Sequence, residues 1–157
     1  MSYYGEETAR FLKQFKIGLP NGKLFFFICL LRKFFADRIP LPIIKAYAFV
    51  KKAYAIVNED YGLEHEIVDA IKHACDNVLR GDFDDQFPLS IWQTTSGVQI
   101  NLNVNEVISN RSNQILNAIG SKRCVYPNDH VNKNQESSCV FSLGKKRFLS
   151  ILFNVSF

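Results

Sequence analysis

The residues with the most chemistry lie in two polar stretches of a 157-residue chain. The first runs Asp82-Phe-Asp-Asp-Gln-Phe-Pro-Leu-Ser-Ile-Trp-Gln-Thr-Thr-Ser-Gly-Val-Gln-Ile-Asn101 and holds the one tryptophan and a Thr-Thr-Ser-Gly turn. That turn leads into a helix start crowded with Asn101, Asn103, Asn105 and Glu106. Hydroxyls, amides and unpaired backbone N–H groups at a helix N-terminus make an anion-binding arrangement. A loop that merely caps a helix is the plainer reading. The second stretch is Tyr126-Pro-Asn-Asp-His-Val-Asn132, followed by Gln135-Glu-Ser-Ser138. His130 stands alone there, and a lone histidine is more often structural than a general base. His65 and His73 flank one helix surface and attract no special reading. Cys29, Cys75, Cys124 and Cys139 are too far apart for a zinc site or a disulfide framework, so reduced and mostly buried thiols and no metal are expected.

The elements that must carry these stretches are helical. Pro42 suits a first helical turn, where its missing N–H would be unpaired anyway. From there Ile43, Tyr47, Val50, Tyr54 and Val57 recur at helical spacing, with Lys45, Lys51 and Lys52 off the stripe, until Asn58-Glu-Asp-Tyr-Gly62 ends the helix. A second helix is predicted from about Glu64 to Arg80, with Ile67, Ile71, Cys75 and Val78 on one face and Gly81 as its stop. A third is predicted to start near Asn103, where Asn103-x-x-Glu106 resembles a capping box, with Val104, Val107, Ile108, Ile115 and Leu116 facing inward. Strand signals are weak throughout. The fold class is all-α.

Composition narrows the functions. Hydrophobic residues at 47% and charged residues at 22% give a globular balance that fills one domain. A net charge of +4, with no basic stretch interleaved with stacking aromatics, gives no case for nucleic acid. The longest apolar run, Leu24 to Leu31, is too short to span a bilayer, so no membrane is expected. The opening Met1-Ser-Tyr-Tyr-Gly-Glu-Glu carries neither an apolar signal core nor an Arg-rich presequence, which leads to a cytoplasmic expectation.

Several motifs in order then resemble one family. Phe87-Pro-Leu-Ser-Ile-Trp-Gln-Thr, Ser96-Gly97 and Asn101-Leu-Asn-Val-Asn-Glu-Val-Ile-Ser-Asn-Arg111 resemble the N-terminal domain of class II fumarate hydratases. Pro127-Asn-Asp-His-Val-Asn-Lys133 resembles the same family's H-P-N-D segment. Tyr3-Tyr-Gly5, Thr8, Arg10 and Phe15-Lys-Ile-Gly18 resemble its opening, and Pro42 through Leu63 its first long helix. The Ile-Trp-Gln-Thr sequence points to fumarase rather than the sister aspartases. The resemblance implies reversible addition of water to fumarate giving L-malate, with no cofactor. It also implies a homotetramer built on a central helical bundle, with active sites shared between subunits. It places substrate carboxylates on Ser96, Gly97, Val98, Ser137 and Ser138, and a second dicarboxylate site on Tyr126, Pro127, Asn128 and Asp129.

The same mapping shows damage. The family's S-G-T is Ser96-Gly97-Val98, so a methyl group stands for a hydroxyl, and Thr95 stands for a glycine. Tyr126 replaces the histidine of H-P-N-D. The family's S-Q-S-S-N-D aligns with Asn134-Gln-Glu-Ser-Ser-Cys139, which leaves Ser137 in place but puts Glu136, Ser138 and Cys139 for Ser, Asn and Asp. A lost hydrogen bond to a charged partner costs roughly 1.5–3 kcal/mol. Residues 19–37 read as an insert and 142–157 as a divergent tail around a fumarase-like domain of 1–141. The family's base and the central bundle have no counterpart in the sequence. Two functions follow: a fumarate hydratase-like lyase, or an inactive remnant that at most binds full-length fumarase subunits. The phenylalanine clusters Phe25–Phe27, Phe34–Phe35 and the Phe148-to-Phe157 tail lead to an expectation of self-association.

Overall fold

Helix punctuation in the sequence becomes helix geometry in the computed structural model, which describes residues 2–14, 38–90 and 97–153, with side chains as far as Lys146. The helices are α1 (Glu6–Gln14), α2 (Leu41–Asp60), α3 (His65–Arg80), α4 (Val98–Ala118) and α5 (Ser137–Phe153). A short 3-10 turn (Asp84–Gln86) and a π-helical turn (Pro127–Val131) punctuate the connections. Among the described residues no strand forms, and one isolated antiparallel bridge joins Arg38 to Ser90.

α2 starts after Pro40 with Pro42 in its first turn. Its end is closed when the N–H groups of Tyr61 and Leu63 both donate to the Asn58 carbonyl, which turns the chain through Gly62 into α3. α3 stops at Gly81, whose φ of +92° is left-handed, and the Asp82 N–H closes back on the Asn77 carbonyl at 3.1 Å. α2 packs on α3 and on α5, α3 packs on α4, and α4 also touches α1, α5 and the π-helical turn. The central core is Val68, Ile71, Cys75 and Val78 of α3 against Val104, Val107, Ile108 and Leu116 of α4.

Four expectations are corrected here. The α2 face that is buried runs Ile44, Tyr47, Ala48, Lys51, Ala55 and Asn58, so Val57 is exposed and Lys51, expected off the stripe, is wholly buried. The inward face follows small residues because they allow close approach of α3 and α5. At Gly144 of α5, an added Cβ would lie 3.2 Å from the Tyr47 ring. Second, α4 begins at Val98, five residues before the expected start at Asn103, and Asn103 is buried within it, donating to the Gln86 carbonyl. Third, Glu106 caps a different helix. Its carboxylate accepts from the N–H groups of Gly5, Glu7 and Thr8 at 2.9, 3.0 and 3.3 Å and from the Thr8 hydroxyl at 2.5 Å, which docks the start of α1 onto α4. Gly5 permits this close approach, since an added Cβ would sit 2.6 Å from Glu106 Oε1 and push the carboxylate away. Fourth, Cys75 is buried but Cys124 and Cys139 are exposed.

α5 runs unbroken across Phe141 and Ser142, where the family-like sequence is expected to stop. The phenylalanine clusters at 25–27 and 34–35, Cys29 and the side chains of the 148–157 tail lie outside the described residues. So do Thr95 and Ser96.

Candidate functional site

The start of α4 is where the polar stretches meet. Gly97 precedes the helix at φ +72°, a left-handed conformation that favours glycine, and an added Cβ would lie 2.5 Å from the Phe141 ring. The turn is thereby held against the first turns of α5. Gly97 has no side chain with which to cap α4, and among the described residues no side chain caps its first-turn N–H groups, which have no intrahelical acceptor. One turn on, Asn101 donates through Nδ2 to Ser137 Oγ at 3.0 Å and to Asn132 Oδ1 at 3.0 Å. Lys51 reaches the same Asn132 oxygen from α2, Nζ to Oδ1 2.7 Å. Asn132 Nδ2 donates to the Gln135 carbonyl at 3.1 Å, which fixes the orientation of that amide.

Around this network polar atoms are buried without partners. Asn101 Oδ1, both side-chain polar atoms of Asn105, Gln99 Oε1, Gln135 Oε1 and Tyr47 OH have no hydrogen-bond partner among the described residues. Buried polar groups are usually satisfied, and each exception needs a reason. Burial also acts on the charge. The Lys51 ammonium is pushed down to about 7 by desolvation, with Cys75 opposing weakly. Cys75 itself is pushed up to about 12 by burial, and the Tyr47 hydroxyl is raised for the same reason.

The expected site residues divide into groups. Gly97 and Ser137 converge at the α4 start. Val98 is 40% exposed on the first turn of α4. Ser138 is exposed and donates to Glu136 Oε1 at 2.7 Å, and Cys139 Sγ lies 3.6 Å from the other oxygen of Glu136. Glu136 is therefore occupied at the start of α5. Tyr126, Asn128 and Asp129 are exposed on or beside the π-helical turn, with Pro127 half-buried in it. His130 folds back to accept the Tyr126 N–H on Nδ1 at 3.0 Å, and burial lowers its basicity. This turn joins the first cluster through Asn132.

Sequence reasoning missed Lys51 as part of the site. The signal was present in the small residues Ala48, Ala55 and Asn58, which share its buried face. Large apolar residues drew the stripe to another side of α2. His65 is exposed and its basicity is raised, first by its bond to Glu59 and then by Asp69, which suits a surface pair. Among the described residues no three or more His, Cys, Asp or Glu side chains group as a metal site would require, and no helix is long and apolar enough to cross a membrane.

The sequence matches the family described as Lyase over residues 2–149. The chain belongs to this lyase family. Within it the chain is 46% identical over 140 residues to the mitochondrial fumarate hydratase of Rattus norvegicus, covering 88% of this chain and 25% of that protein. It is 46% identical over 141 residues to the class II fumarate hydratase of Thermosynechococcus vestitus, covering 88% of this chain and 27% of that protein. The crystal structure of the class II fumarase of Schistosoma mansoni superposes with a TM-score of 0.80 at 37% identity, covering 96% of this chain and 29% of that one. This lyase chain thus spans about a quarter of the length of the curated relatives it matches. The all-α helical domain is the one these lyases share.

Proposed function

We propose that the α4 start is a carboxylate-binding corner of a fumarate hydratase-type lyase, acting on fumarate and L-malate. The observation that carries this is the Asn101-to-Ser137 hydrogen bond beside the N-terminus of α4, which no side chain caps among the described residues. Because Ser137 Oγ accepts from Asn101, its own hydrogen is left to donate outward. A carboxylate seated there would receive that hydrogen and the first-turn N–H groups of α4, which carry the positive end of the helix dipole. Gly97 would supply the other side of the corner, with Val98 and Ser138 at its edge, and the family resemblance adds Ser96, which lies outside the described residues, to the substrate contacts. Tyr126, Pro127, Asn128 and Asp129 would form a second dicarboxylate contact on the π-helical turn. Hydration of fumarate builds negative charge on the carboxylate next to the reacting carbon, so fixed donors of this kind stabilise it. We assign no residue of this chain as the base.

The second reading is a non-catalytic subunit that docks onto full-length fumarase. It is favoured by Val98, which offers a methyl group where the corner would use a hydroxyl, and by Glu136, a carboxylate next to a site for a dianion. Ultraviolet absorbance separates the two, because fumarate absorbs and malate scarcely does. Turnover of malate by the purified chain above a blank supports the lyase reading. No turnover alone, with co-purification of intact fumarase subunits, supports the docking reading. Microscopy of a tagged chain decides between the cytoplasmic expectation and the mitochondrial compartment named for the rat relative.

A further inference from the structure

We infer that Lys51 is a positioning residue that, together with the Gln135 carbonyl, sets the direction of the hydrogen bonds that run from α2 to the Ser137 hydroxyl through Asn132 and Asn101. The inference rests on the carboxylate-binding reading of Ser137 only for its functional consequence.

Polarity carries the argument. An ammonium group can only donate. Lys51 therefore requires the oxygen of Asn132 to face it, which the 2.7 Å contact satisfies. With that oxygen fixed, Asn101 must turn its amide nitrogen toward Asn132, at 3.0 Å. The same nitrogen then donates to Ser137 Oγ at 3.0 Å, so the serine accepts from the protein and is free to donate to a ligand. Reversing the Asn132 amide would reverse the chain and leave Ser137 facing an oxygen. The Gln135 carbonyl, which accepts from Asn132 Nδ2 at 3.1 Å, enforces the same orientation from the other side of that amide, while Asn101 Oδ1 has no partner among the described residues.

The site also explains why a lysine is held there without a carboxylate. Lys51 has 0% of its surface exposed and forms no ion pair among the described residues. The groups facing it are the Cys75 thiol from α3 and the Asn132 amide at the end of the π-helical turn. From α4 the nearest network member is the Asn101 amide, and from α5 it is the Ser137 hydroxyl, both uncharged. The Lys52–Asp76 pair lies at the partly exposed edge of the α2–α3 contact. A carboxylate partner would take up the donor capacity of the ammonium; here its hydrogen bond goes to Asn132.

The test uses side-chain amide resonances of Asn101 and Asn132 and the Ser137 Cβ resonance in the isotopically labelled full chain, followed against pH, for wild type, K51R and K51M. In wild type these signals should move together with a midpoint near the Lys51 value of about 7. In K51R they should stay at the wild-type low-pH positions throughout, because the guanidinium keeps its charge. In K51M the common transition should be absent, and fumarate, added as the probe, should bind about tenfold more weakly, the loss of one directed hydrogen bond. A common transition that persists in K51R, or that is missing in wild type, overturns the inference; the K51R arm decides even where K51M does not fold. Transitions that follow Lys51 in a chain that binds no fumarate support the positioning role and count against the carboxylate-binding reading.

Discussion

Two buried charges make an instructive pair. Glu106 on α4 and Lys51 on α2 are both removed from water, with exposures of 7% and 0%. Glu106 receives four donors from one helix terminus, and its charge meets the dipole of α1. Lys51 has a single neutral acceptor, and the amides beyond it carry unpartnered atoms. A charge that is fully satisfied acts as a clamp. One that is under-satisfied leaves polar capacity for a further partner, as the proposed carboxylate-binding corner requires. The polar satisfaction of a buried group thus separates structure from function more clearly than its burial does.

The sharpest way to break this contrast is to remove the clamp. E106A leaves the N–H groups of Gly5, Glu7 and Thr8 and the Thr8 hydroxyl without their acceptor, so a loss of about 3 kcal/mol or more is expected in urea unfolding. E106Q, which keeps an acceptor oxygen, should lose less. Equal losses from the two would show that packing rather than the carboxylate holds α1.

The Lys51 side predicts a pH dependence of opposite character. Its folded-state value is held at about 7 against an ordinary 10.5, so between these limits the unfolded chain binds the extra proton. Stability should therefore rise with pH from about 7 toward 10.5, with the cost of the buried ammonium fully present below that window. The span is on the order of a few kcal/mol, and K51M should flatten it. A wild-type curve that is already flat over this window contradicts the buried, unpaired ammonium.

A smaller effect separates two of the left-handed glycines at helix ends, Gly97 and Gly62. G97A combines a φ of +72° with a Cβ placed 2.5 Å from Phe141, whereas G62A at φ +83° meets nothing within 4 Å. G62A should cost about 1 kcal/mol from backbone strain alone, and G97A about twice that or more. Thermal denaturation of the two variants measures the difference. Similar costs would mean that α5 is not held against the turn.

The sequence carried the class, the helix positions of α2 and α3 and the inward residues Val104, Val107, Ile108 and Leu116, because spacing and the Gly81 stop are local signals. It also pointed to the α4 start and to Ser137. It misplaced Glu106, whose type and spacing fit a local capping box but whose partners lie about a hundred residues away, at Gly5 to Thr8. It misplaced Lys51 because a charged side chain on a helix is ordinarily solvated, and only the packing of α3 and α5 buries this one. Both misses share a cause. Partner choice for a buried charge is a tertiary property that periodicity does not encode.

If the α4 start and Ser137 form one carboxylate-binding corner, fumarate titrated into the labelled chain should move their backbone amide resonances. Shifts concentrated at Gly97 to Asn101 and at Ser137 are expected, with their loss in S137A while the fold is retained. Shifts absent from these residues, or unchanged in S137A, would contradict that reading.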